Sequence, residues 1–153
     1  MIIETKFFGP VEVNENEVIT FKQGIPGFEN FHRYAILQYK DGSPFHILQS
    51  LEKVNLAMVI VELATVLPEY SFDLADEAVA QLNLARPEDA TVVVVVVLPE
   101  DITKATVNLA APIVINQATK LAKQIILEHP AFSLRHPLFN EKPVSLERQA
   151  AAK

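Results

Sequence analysis

Apolar and polar residues alternate with a period of two along much of the chain, the pattern of strands that bury one face. Ile3, Thr5 and Phe7 share one face, Glu4 and Lys6 the other, and Gly9-Pro10 turns the chain. Val11 and Val13 alternate with Glu12 and Asn14. Asn14-Glu15-Asn16-Glu17 then forms a polar turn before a strand over Val18 to Phe21. Tyr34 to Tyr39 and Phe45 to Leu51 read as strands joined through Lys40-Asp41-Gly42-Ser43, where Asp-Gly predicts a hairpin. Ala57 to Glu62 is another strand, and beyond Leu67-Pro68-Glu69 the alternation returns in Tyr70 and Phe72. Thr106 to Leu109 and Pro112 to Asn116 add two more. Pro112 belongs at a strand start, an edge or a bulge because it has no N–H to donate. Six consecutive valines, Val92 to Val97, suit a strand buried on both faces and predict the spine of the sheet. Many short strands with regular turn signals indicate an all-β sandwich or barrel.

The period changes in two places. Ala75, Ala78, Val79 and Leu82 follow helical spacing, with Asp73 placed to cap and Asp76 and Glu77 in the first turn. One short amphipathic helix is predicted there, about Leu74 to Leu84. Further on, Ala118, Leu121, Ala122, Ile125 and Ile126 also fit a helical stripe. Yet Asn116-Gln117-Ala118-Thr119-Lys120 would equally serve as a polar hairpin loop, and pattern alone favours the helix slightly.

The corner Gly24-Ile25-Pro26-Gly27-Phe28 departs from the polar turns elsewhere. Pro26 presets φ for the first central position of a turn, and Gly27 supplies the positive φ that a type II turn needs next. Ile25 and Phe28 then stand at its two ends, so the corner either tucks into the core or presents a sticky surface.

The chain has 153 residues, half of them hydrophobic, and a mean hydropathy of +0.20. It contains no cysteine, which excludes disulfides, thiol nucleophiles and thiolate metal sites. The longest apolar run, Val92 to Leu98, is too short to span a bilayer, and residues 1–9 lack the layout of a signal peptide. Thirteen basic residues against 19 acidic ones give a formal net charge of −6, which disfavours direct nucleic-acid binding and suits a basic protein partner. Chemistry-bearing motifs are absent. His129 and His136 are seven apart, a poor spacing for helical metal ligands, and His32 and His46 stand alone. Gln49 lies on the apolar face of its strand, where a buried amide must be hydrogen-bonded. Asn108 and Asn116 bracket an apolar segment whose ends they would satisfy.

In order along the chain stand Met1-Ile2-Ile3-Glu4-Thr5-Lys6-Phe7-Phe8-Gly9, Gly24-Ile25-Pro26-Gly27-Phe28 and Ser43-Pro44-Phe45-His46-Ile47-Leu48-Gln49-Ser50. Asn108 to Asn116 and Ala122-Lys123-Gln124-Ile125-Ile126-Leu127 follow. Together they resemble the FliW family of bacterial flagellar assembly factors over about Ile2 to Leu138. The resemblance implies a mainly β, compact antiparallel β-barrel-like single domain over residues 1–139, with a polar tail at 140–153 expected to be disordered. It implies a strand, not a helix, over Leu121 to Leu127. It further implies a cytoplasmic, non-enzymatic regulator without cofactor, monomeric when free, that binds flagellin. When free of flagellin, such a protein binds the carbon storage regulator CsrA and antagonises it allosterically, relieving repression of flagellin translation. No direct nucleic-acid or membrane partner is expected. The residues offered as partner contacts are Ile25, Pro26, Phe28, Gln49, Asn108 and Asn116. A second class of function compatible with the pattern is a small-ligand-binding β-barrel with the corner lining its mouth.

Overall fold

A computed structural model of the protein describes residues 1–128 and 131–139. Ile2–Thr5 (β1) and Gly9–Glu12 (β2) form an antiparallel hairpin of their own. The main sheet contains Ile19–Phe21 (β3), Arg33–Gln38 (β4), Phe45–Ser50 (β5), Ala57–Glu62 (β6) and Ala90–Val97 (β7). Thr106–Val107 (β8), Ile113–Asn116 (β9), Leu121–Gln124 (β10) and His136–Pro137 (β11) complete it. Two short helices, Leu63–Val66 (α1) and Asp76–Gln81 (α2), lie between β6 and β7. The tail at 140–153 and His129 lie outside the described residues.

Seven strands close into a barrel in the order β3-β4-β5-β6-β7-β9-β10 and back to β3. An odd number of strands cannot alternate direction all the way around a closed circuit. One neighbouring pair must run parallel, and it is β3 with β10, through Leu121 opposite Thr20 and Ala122 opposite Phe21. Closure leaves no free edge on these strands. Inward residues from every strand fill the interior, among them Phe21, Tyr34, Leu48, Ile60, Val93 and Ile115.

The valine run forms most of β7 and is covered on both faces from Val92 to Val96, whereas Val97, at its end, is 62% exposed. Val93 and Val95 point into the barrel, whereas Val92, Val94 and Val96 pack outward against Val61, Leu63, Val107 and Leu109. Tyr70 and Phe72 press onto this outer cluster. Their alternation therefore belongs to an extended arm that packs on the barrel without joining a sheet. On the other side, Ile3, Val11 and Val13 lay the β1–β2 hairpin over Ala35, Leu37 and Ile47.

The structure makes Leu121–Gln124 a strand, shorter than the expected 121–127: β10 pairs with β9, and beyond it Ile125 N–H and Leu127 N–H still bond to the Pro112 and Ala110 carbonyls. Its helical spacing is overridden because strand pairing with β9 and β3 satisfies the backbone and closes the barrel.

The predicted helix is real but shorter than Leu74 to Leu84, and Asp73 does not cap it. Ala75 occupies the N-cap position with no side-chain hydrogen bond. The helix stops early because Asn83 adopts φ +55°, a left-handed conformation that asparagine tolerates. Leu84 N–H then bonds back to the Val79 carbonyl and Asn83 N–H to Ala80, a Schellman closure.

Gly24 and Gly27 both have positive φ but differ in surroundings. A Cβ on Gly24 would stand 2.6 Å from Glu29 Cα, whereas one on Gly27 would meet nothing within 4 Å. Gly27→Ala is expected to cost about 1–2 kcal/mol of stability, and Gly24→Ala distinctly more. Urea denaturation of the two variants checks the order; equal losses would mean that the close approach of residue 29 is relieved at no cost.

Candidate protein-docking surface

The corner is a type II turn. Gly27 has φ +90°, and Phe28 N–H donates to the Ile25 carbonyl at 2.6 Å. Its two apolar ends part company. Ile25 is 3% exposed and plugs the end of the barrel beside Phe21 and Tyr34. Phe28 is 40% exposed, and Pro26 is exposed as well. Gly27 N–H donates to Glu29 Oε2 at 3.1 Å, and this bond holds the Glu29 carboxyl below its ordinary value.

The β5–β6 loop lies beside the corner. Glu52 Oε1 accepts from His32 N–H at 2.6 Å and from Arg33 N–H at 3.3 Å, and Glu52 Oε2 lies 3.7 Å from Arg33 Nε. Burial works against the Glu52 charge, but these two N–H donors and the Arg33 and His32 charges outweigh it and hold the carboxyl below its ordinary value. Lys53 sits over the Phe31 ring at 5.9 Å. Beneath the loop, Tyr34 stacks edge-on against Phe21, and burial, with the nearby Glu52 charge, pushes its hydroxyl up to about 12.

Gln49 joins this loop to the amino-terminal hairpin. It is fully buried; its Oε1 accepts from Lys6 N–H at 3.0 Å, and its Nε2 donates to the Ser50 and Val54 carbonyls, each at 3.0 Å. It thereby holds Phe7 and Phe8 on one side and Val54 on the other, all three exposed. Three loops thus present Phe7, Phe8, Val54, Pro26 and Phe28 at one end of the barrel, an apolar surface of the kind that meets a protein partner. Alternation places Phe7 on the inner face of the first strand, but that strand ends at Thr5, and Phe7 and Phe8 both stand exposed in the turn that follows.

The remaining named residues sit elsewhere. Asn116, 2% exposed, donates from Nδ2 to the Leu82 and Asn83 carbonyls at 2.8 and 3.2 Å and accepts from Ala118 N–H at 2.9 Å. It fastens the end of α2 to the β9–β10 turn. Asn108 is half-buried and accepts from Ala110 N–H at 2.9 Å. A partner would feel Gln49 and Asn116 only through the backbone they hold. His32 Nδ1 is 2.9 Å from the Phe21 carbonyl, and His136 stacks on Tyr70.

The barrel mouth is at the opposite end from the corner, ringed by Gln38, His46, Glu62, Thr91 and Gln117. It holds a cavity of 160 Å³ over Ile36, Ile60, Val93 and Ile115. Among the described residues, no group of three or more histidines, aspartates or glutamates is gathered to hold a metal. No helix among them is long and apolar enough to cross a membrane.

A closed seven-stranded barrel with a filled interior, a clamped amino-terminal hairpin and an apolar end defines a compact β-barrel with a surface suited to protein docking. The model of the FliW protein family matches residues 2–138, and the chain belongs to that family. It is similar to the flagellar assembly factor FliW of Ruminiclostridium cellulolyticum, 37% identical over 142 residues, covering 92% of this chain and 96% of that protein. The corresponding factor of Caldicellulosiruptor saccharolyticus is 40% identical over 138 residues, 90% of each chain. The fold is likewise similar to a crystal structure of the flagellar assembly factor FliW, with a TM-score of 0.86 and 36% identity over 93% of this chain and 99% of that one.

Gln49→Leu leaves the Lys6 N–H and the Val54 carbonyl unpaired and is expected to destabilise the protein by about 1–3 kcal/mol. It should also raise hydrogen exchange at Lys6; protection unchanged there would show that the amide does not clamp the hairpin. For Glu52, stability gained from its charge is complete above the ordinary carboxyl value of 4.5 and is lost as pH falls through the lower folded value. The stability gap between wild type and Glu52→Gln should therefore narrow on going from neutral pH to acid. A gap independent of pH would remove the charge from the account.

Proposed function

We propose that this flagellar assembly factor is a non-enzymatic, cytoplasmic partner-switching protein, monomeric when free and needing no cofactor. It binds flagellin before export. When flagellin leaves, the freed factor binds the translational repressor CsrA and antagonises it allosterically, so that flagellin translation resumes. The observation that carries a protein-binding role is the cluster of exposed Phe7, Phe8, Val54 and Phe28 that three neighbouring loops bring to one end of the barrel. Flagellin segments that await assembly present an amphipathic face, and such a face is bound by apolar surface of this kind. The small-ligand reading gains little support: the corner lies at the opposite end of the barrel from the mouth and does not line it.

Purified protein is expected to form a stable complex with flagellin and, separately, with CsrA of the same organism. Failure with both would sink this reading. Phe28→Ala, which removes an exposed ring, should weaken at least one of the two complexes by roughly tenfold while the melting temperature stays close to wild type. A variant with lowered melting temperature and both affinities intact would assign Phe28 to the fold.

A further inference from the structure

The net charge is not spread over the chain. Of 19 acidic and 13 basic residues, seven acids and one base fall within residues 62–89, which leaves twelve of each for everything else. The single base, Arg86, is held by Asp89 at 3.1 Å. Among the described residues, none of the other acids in this stretch takes part in an ion pair. The entire formal charge of −6 therefore resides on one excursion, the path from the end of β6 through α1, the extended arm and α2 to the start of β7.

The same excursion packs on the barrel wall but leaves an apolar groove along its edge. A cavity of 430 Å³ lies between Phe72 and Leu74 of the arm and Ala90, Val92 and Val114 of the wall, with Asp73 at its rim. A second, of 260 Å³, shares Phe72, Ala90 and Val92 and continues along the arm to Glu62. The floor is fixed, since Val92 and Val114 are paired across β7 and β9 and Val114 is fully buried. Asp76 and Glu77, both exposed, open α2 two and three residues beyond Leu74.

We infer that this groove is the docking site for a basic, amphipathic protein segment. Its apolar side chain seats on Val92 between Phe72 and Leu74, and its lysines or arginines face Asp73, Asp76 and Glu77. Charge decides the occupant. An acidic segment or a nucleic-acid backbone is repelled by the same carboxylates, whereas a basic one is drawn in over a range of about 8–10 Å at physiological salt. The inference rests on the proposed function for the identity of the partner, which on that reading is the repressor. It deepens that reading by giving the repressor a surface separate from the apolar end of the barrel.

Two variants test it: Asp73→Asn/Asp76→Asn/Glu77→Gln, which removes the charge from exposed positions, and Ala90→Leu, which fills the groove without emptying the core. The first probe is a synthetic lysine–leucine amphipathic peptide, with a glutamate–leucine peptide as control, followed through the methyl resonances of Leu74, Val92 and Val114. The basic peptide is expected to shift these methyls, more weakly as salt rises, and both variants to lose roughly tenfold in affinity, as close charge pairs and a blocked anchor pocket do. Unmoved methyls, or equal binding of the acidic peptide, overturn the groove as a site. The second probe is the pair of natural partners. Loss of CsrA binding in both variants with flagellin binding unchanged supports the assignment, and loss of flagellin binding with CsrA binding intact overturns it. If wild-type protein binds neither, the functional reading falls, while the peptide result still decides the groove.

Discussion

The valine strand β7 is the constraint on which the rest of the structure depends. It pairs with β6 along Val93–Val96, with β9 along Ala90–Val93 and with β8 at Val96 and Val97. No other described strand has three partners. From Val92 to Val96 each side of β7 faces a separate apolar cluster, so a polar atom there would be buried without a partner, at a cost on the order of several kcal/mol in hydrocarbon-like surroundings. Valine meets the demand on both faces and keeps the strand extended through its β-branching. With β7 committed to β9, the barrel must close through β10, and with seven strands that closure has to be parallel to β3.

Two buried amides then fix what the barrel alone leaves loose. Gln49 gathers the amino-terminal hairpin and the β5–β6 loop, and Asn116 gathers the end of α2 and the β9–β10 turn. Both occupy positions where apolar side chains would pack as well but would leave backbone groups of neighbouring segments unpaired. Polar specificity is thus placed where irregular chain meets regular sheet, and the surfaces presented to partners inherit their shape from it. Phe7 and Val54 are exposed together because one glutamine holds both of their loops.

Much of the barrel was legible in the sequence because alternation and turn residues are local. The Asp-Gly hairpin, the valine spine and the type II geometry at Pro26-Gly27 depend on residues within a few positions of one another. What failed depends on distant partners. The span of α2 is set by Asn83 turning left-handed beneath Asn116, 33 residues away, so Asp73 and Leu84 could not be judged from spacing. The helical stripe at Ala118 to Ile126 is genuine as a pattern, but two neighbouring strands outbid it. For the surface, the corner was visible as apolar, yet no local rule says that Ile25 goes in while Phe28 stays out. That division depends on the core around Phe21 and Tyr34, which takes Ile25, and on the tight path at Gly24, where a Cβ would stand 2.6 Å from Glu29 Cα.

The two apolar surfaces lie far apart on a small body. The aromatic end is beside the β3–β4 corner, whereas the acidic groove is on the outer wall near Ala90 and Thr91, toward the mouth. The barrel between them is packed and closed, so a relay of small shifts through it would have to strain strands held on both sides. A chain of this length has a radius of gyration on the order of 15 Å. A partner that spreads sideways from either surface by more than about twice that distance reaches over the other. Under the proposed partner switch, flagellin and the repressor can therefore exclude one another by collision of their bodies while sharing no contact residue. The factor itself then needs no second conformation: a rigid barrel with two surfaces and too little room between them suffices.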